Sequence, residues 1–190
     1  NRWRPLYWEV EGVECSWERP ISTYNTSFSF IAQSRSWLPD EIGGLIWFGE
    51  DDTYFTCYMP IYNCVSEVPK AFQTGDIRKF SWESAWWTFN FVSNYANLRY
   101  SDMIIDIQFI QDSLESKYLA NQHVVEKEAI SLLEKDKEQA IDYLTKYTLS
   151  ETEILMQEWK NLGEFLITKY NDGYIKNVEG KPEEVGYPVE

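Results

Sequence analysis

Between positions 26 and 34 apolar and polar residues alternate almost strictly. Phe28, Phe30 and Ala32 fall on one side, and Ser27, Ser29, Ile31 and Gln33 on the other. Period two is the spacing of a β-strand with two different faces. A second apolar run, 45–48, follows Gly43-Gly44, and a third, 53–59, follows Glu50-Asp51-Asp52 and ends at Pro60. Both interruptions are turn chemistry. The stretch 19–62 therefore predicts three antiparallel strands, with Arg35 held between the first strand and its turn.

Beyond Cys64 the chain becomes irregular, with Pro69, Gly75 and Asp76. Aromatics then crowd together: Phe80, Trp82, Trp86, Trp87, Phe89, Phe91 and Tyr95. Their spacing suits a helix starting near Ser81, and such a stripe predicts a seam against the sheet. From Ser101 onward Ile107, Ile110, Leu114, Tyr118, Val125, Ala129 and Leu132 recur in three- and four-residue steps. One unbroken helix over 102–149 would span about 70 Å at about 1.5 Å per residue, too long for a domain of this size. Asp136 with Gln139, and Ser150 with Glu153, have the form of helix caps. They predict helices over 102–134, 137–147 and 151–171, the last stopped by Asn171-Asp172-Gly173. The fold class is α+β: mainly strands over 1–80, mainly helices over 81–173, and an irregular tail over 174–190.

At 190 residues the chain suits one domain. Apolar residues make up 44% of it, enough for a packed core. A net charge of −14 repels phosphate backbones and anionic lipid heads, which argues against nucleic-acid and membrane partners. No apolar run approaches the about 20 residues of a spanning helix.

Few residues point to chemistry. Cys15, Cys57 and Cys64 have neither CxxC spacing nor an even count, so neither a zinc site nor a disulfide framework is expected. His123, the one histidine, sits on a helical stretch and reads as a surface residue. Glu50-Asp51-Asp52 lacks the ligand spacing of a calcium loop and reads as a solvated turn. Asp40 and Glu41 lack the surroundings of an acid–base pair, and Gly43-Gly44 is followed by no Lys-Ser/Thr phosphate loop. No metal or cofactor is called for. Arg35 is the residue most suited to a site, because a guanidinium fixed beside a tight turn presents a rigid fork to a carboxylate or oxyanion. The alternative is an ion pair with Asp40, Glu41 or a residue on another strand.

The order of Arg19-Pro20-Ile21, Gln33-x-Arg35-x-Trp37-Leu38-Pro39, Ile42-Gly43-Gly44, Trp47 and Tyr58-x-Pro60-x-Tyr62 resembles the cysteine dipeptidase family of N-terminal-nucleophile hydrolases. Pro69, Phe72, Gly75-Asp76, Ser84-Ala85-Trp86-Trp87 and Ser101-Asp102-Met103 continue the likeness. So do Trp159, Leu162, Lys169-Tyr170 and Asp172-Gly173-Tyr174. The resemblance implies a portion of an α-β-β-α sandwich and a short peptide as substrate. It implies a cysteine nucleophile at the mature N-terminus, and places Arg35 where related enzymes hold an arginine beside that nucleophile. Position 1 here is Asn, and Trp3, Tyr7 and Trp8 make the opening read like the middle of a protein. Cys15 lacks the family's N-terminal surroundings. The expectation is a C-terminal portion, inactive alone, whose partner is the preceding segment of the same protein. In the absence of that segment a face of the sheet would be bare, and the chain would pair with a second copy through it. The competing expectations are a non-catalytic binding module using the aromatic band or the acidic surface, and an amidase of the same superfamily.

Overall fold

A computed structural model describes residues 7–16, 21–179 and 185–188. The aromatic opening up to residue 6, Arg19-Pro20, and Gly180 with Pro182 in the tail lie outside the described residues. The architecture is α+β. A hairpin of β1 (Tyr7–Val10) and β2 (Val13–Ser16) comes first. An antiparallel sheet follows, β3 (Phe28–Ser34), β4 (Gly44–Glu50) and β5 (Met59–Tyr62), in the order β3-β4-β5. One helical turn, α1 (Asp40–Gly43), links β3 to β4. The hairpin turns on Glu11-Gly12, both at positive φ (52° and 78°), the two-residue geometry whose twist matches the flanking strands.

The first two strands match the alternation pattern, and the third does not. Residues 53–58 form turns and extended chain, and β5 begins only at Met59. Their backbone groups are satisfied by a helix instead of a strand. The carbonyls of Tyr54 and Thr56 accept from the Gln111 amide, and the Tyr58 N–H donates to Glu115 Oε1 at 2.9 Å. Pro60 is tolerated in β5 because that strand is paired on one side only, to β4.

A second turn, α2 (Lys70–Gln73), precedes three helices: α3 (Ala85–Ala96), α4 (Tyr100–Leu133) and α5 (Lys137–Tyr170). Helix α3 starts later than expected because Ser81 forms its own turn, accepting the Glu83 N–H at 3.1 Å, and Ser84 is the cap. Asp136 caps α5 as expected, taking the Glu138 N–H at 2.9 Å and the Gln139 amide at 3.3 Å. The expected break near Ser150 is absent. Its hydroxyl donates to Tyr147 O within the helix, and α5 runs through for 34 residues. The apolar stripe explains this: Ala140, Leu144, Leu155, Trp159, Leu162 and Leu166 are buried along one face from end to end. The last turn stops where Asp172 and Gly173 adopt positive φ.

The core lies among α3, α4 and α5. Phe89 stacks on Trp159 with centroids 4.6 Å apart. Gly163 lets α3 approach, since a Cβ there would stand 3.2 Å from both Phe91 and Trp82. The aromatic band is therefore mainly a helix–helix seam, not the expected helix–sheet one. The sheet meets the helices through β5, which packs on α5. Exposure follows the strand and not a single sheet face. Phe28 and Phe30 on one face of β3, and Ile31 on the other, are all more than half exposed.

The acidic turn is buried, against expectation. Asp51 and Asp52 are 1% and 6% exposed. Asp51 (φ 64°) accepts from Asn90 Nδ2 at 2.8 Å and from Ser93 Oγ, both on α3. Asp52 accepts from Ser22 Oγ and from the Tyr54 N–H at 3.1 Å. The turn thus ties the end of β4 to α3, with partners some forty residues away in sequence. Burial, with the Asp51 charge beside it, pushes Glu50 up to about 7 from an ordinary 4.5. Between those values the unfolded chain ionises first and binds fewer protons, so stability falls as pH rises from about 4.5 to about 7. Urea titrations should show Glu50→Gln flattening that fall and exceeding the parent in stability at pH 8. An unchanged slope between the two proteins would contradict the assignment.

Candidate functional site

Arg35 sits where β3 ends, and its surroundings are built by the turn it opens. Its N–H donates to Gly43 O at 3.0 Å, and its carbonyl accepts the Leu38 N–H at 3.1 Å. Gly43 is required there, because a Cβ would stand 2.8 Å from Arg35 O. The guanidinium turns inward. Nη2 donates to Ile42 O at 2.8 Å, Nε to Gly43 O at 3.4 Å, and Nη1 to Glu126 Oε1 on α4. The same carboxylate oxygen takes the Tyr62 hydroxyl at 3.2 Å and the Gln122 amide at 3.0 Å. Burial and the Glu126 charge hold the Tyr62 phenol well above its usual range. Arg35 is 6% exposed, so its charge is compensated inside the protein.

An ion pair is one of the two sequence expectations for Arg35, but its partner is on a helix 91 residues away. Asp40 is exposed, and Glu41 pairs with Lys137 instead, which keeps its carboxyl below the ordinary range. What Arg35 presents outward is the rim it fixes, a shallow cleft of about 250 Å³ beside Ser34, Ser36 and Gly44. Trp37, on the same turn, is 77% exposed.

The three thiols are unpaired by disulfides, and Cys57 and Cys64 are poorly suited to nucleophilic attack. Burial drives Cys57 well above the ordinary thiol value, and the Glu115 carboxylate adds to this. Burial also raises Cys64. Cys15 lies on β2 opposite Trp8. A reactive thiol needs the opposite, a lowered pKa in a positive setting. His123 is exposed on α4. Among the described residues no group of three His, Cys, Asp or Glu could hold a metal ion, and no helix is long and apolar enough to cross a membrane.

Glu126 does not stand out in the sequence. Its only signal is spacing: Gln108, Gln111, Glu115, Gln122 and Glu126 recur at helical steps along one side of α4. Four of these five reach the segment 54–62 or Arg35 directly. Removing one member of a buried pair leaves a bare charge, at a cost of about 3–5 kcal/mol. Arg35→Ala and Glu126→Ala should each lose that much stability. The double variant should lose less than the sum by about 1–3 kcal/mol in chemical denaturation. Additive losses would show that the two do not act as a pair.

Residues 6–113 match the family model described as Peptidase family C69, a span that holds both sheets, α1 to α3 and the start of α4. Arg35 and the motifs around it fall within the match. Glu126 lies beyond it, as do Trp159, Leu162 and the residues 169–174 that carried the last of the resemblance. No curated protein matches the chain. With more than half of its length matched, the chain belongs to peptidase family C69, the cysteine dipeptidases.

Proposed function

We propose that these 190 residues are the C-terminal portion of a thiol dipeptidase and form its substrate-side scaffold. The nucleophile is the cysteine that opens the mature enzyme in this family. Its thiol gives its proton to the free α-amine, whose unperturbed pKa lies near about 8, and the sulfur attacks the peptide carbonyl carbon. The C–N bond breaks, the departing amine takes a proton, and water hydrolyses the thioester. Family membership is the observation that carries this reading. The state of two of the three thiols supports it, since burial raises Cys57 and Cys64. On this reading the 190 residues alone are inactive.

Arg35 is a positioning residue in this proposal. Its fork is taken up by Glu126, Ile42 O and Gly43 O, so it serves substrate or oxyanion through the rim 34–44 that it holds in place. The α-β-β-α sandwich belongs to the same reading, with a second sheet lying over β3. The exposed Phe28 and Phe30, on one face of β3, favour a covered position for that face in the complete enzyme. A binding module using the aromatic band is less well supported, because Phe89, Phe91 and Trp82 are engaged with α5.

The test is dipeptide hydrolysis by the enzyme made from its complete reading frame. Activity should vanish when the cysteine at the mature N-terminus becomes Ala, and should persist in Cys15→Ser and Cys64→Ser. Loss with Cys15→Ser and retention without the N-terminal cysteine would refute the assignment. Hydrolysis of acyl amides without that of dipeptides would move the protein to the amidases.

A further inference from the structure

A groove of about 330 Å³ runs between the β3–β4 face and α4. Ile31 and Trp47 line it together with Tyr58 and Leu119, Gln33 stands at its edge, and Glu115 supplies the one ionisable carboxylate among its lining residues. This volume falls at the lower end of the about 300–1,000 Å³ typical of small-ligand sites. The carboxylate is fixed rather than loose, because Oε1 takes the Tyr58 N–H at 2.9 Å. Oε2 has no hydrogen-bond partner among the described residues. Tyr58 is held in turn by its hydroxyl, 2.8 Å from Ser29 Oγ.

We propose that this groove is a subsite for the primary ammonium group of a peptide, with Glu115 as its counter-ion and Trp47 and Tyr58 as its aromatic walls. The proposal rests on the dipeptidase reading for the identity of the ligand. Three features favour a cation over a neutral or anionic guest. Glu115 is half-buried, and the nearby Asp112 adds negative charge, so an anion would meet uncompensated repulsion. Burial first, and then Asp112, raise the Glu115 carboxyl, against the lowering effect of the Tyr58 N–H, and a bound ammonium would relieve that cost. Indole and phenol faces attract an ammonium through their ring quadrupoles. Gln33 adds direction. Its carbonyl faces the Trp47 indole N–H at 3.5 Å, which leaves its NH₂ to donate to a peptide carbonyl. The groove also straddles the edge of the family match. Ile31, Gln33, Trp47 and Tyr58 lie inside it, whereas Glu115 and Leu119 lie beyond.

Ligand-detected NMR titration of the full chain tests this with Ala-Ala, N-acetyl-Ala-Ala and n-butylamine. Ala-Ala and n-butylamine should bind, and acetylation should weaken dipeptide binding at least tenfold. Glu115→Gln should weaken both ligands about tenfold, with melting checked alongside. Leu119→Lys, at a position 63% exposed, places an ammonium of the protein's own beside Glu115 and should do the same. That variant decides the matter if Glu115→Gln fails to fold. Equal binding of the acetylated and free dipeptides, or unchanged binding in Leu119→Lys, would overturn the proposal. The two readings fail separately. Binding of n-butylamine through Glu115 without dipeptide hydrolysis by the complete enzyme sinks the dipeptidase reading alone. Hydrolysis with unchanged kcat/KM in Glu115→Gln sinks the subsite alone.

Discussion

The polar side of α4 takes a role that a strand or a cap would fill elsewhere. Gln111 and Glu115 take up the backbone of an irregular segment, and Glu126 takes up a guanidinium and a phenol. Each contact satisfies a group that burial would otherwise leave at a cost of about 1–3 kcal/mol. An adjoining stripe of the same helix is apolar, with Ile107 and Tyr118 buried in the core shared with α3 and α5 and Ala129 buried beside Ile42, Leu45 and Tyr62. Helix α4 thus ties the helical core to the sheet, alongside the packing of β5 on α5 and the bonds from Asp51 to α3. The turn that carries Arg35 is held by its own backbone bonds and by Glu126 of α4.

What is legible in the sequence follows from the range of the forces involved. The strands β3 and β4 can be read because alternation is a local signal, and the Gly43-Gly44 turn because Gly43 must sit against Arg35 O. The hairpin β1–β2 carries an equally local signal in Glu11-Gly12, but its strands are only four residues each, too short for alternation to show. Residues 53–58 mislead because apolar residues separated by polar ones look like a strand. Their hydrogen-bond partners are side chains about 57 residues away. The acidic turn misleads for the same reason, since Asn90, Ser93 and Ser22 neutralise its burial from a distance. At Ser150 a local capping pattern competes with a continuous apolar stripe, and tertiary packing wins.

The candidate site divides along the same line. Arg35 stands out because its turn chemistry is local, whereas nothing near Glu126 in the sequence announces a buried pair. That pairing alters the role of Arg35. A fork already occupied by Glu126 and two carbonyls holds the rim 34–44, and in the proposed function the nucleophile is brought to that rim by the preceding segment. The exposed apolar side chains of β3 and the raised thiols of Cys57 and Cys64 fit such a division of labour.

The most direct measurement is where a substrate-like electrophile becomes attached. The complete enzyme, treated with a dipeptidyl chloromethyl ketone and mapped by mass spectrometry, should carry the adduct on a cysteine other than the three in this sequence. A stoichiometric adduct on Cys15, Cys57 or Cys64 that abolishes hydrolysis would contradict the account.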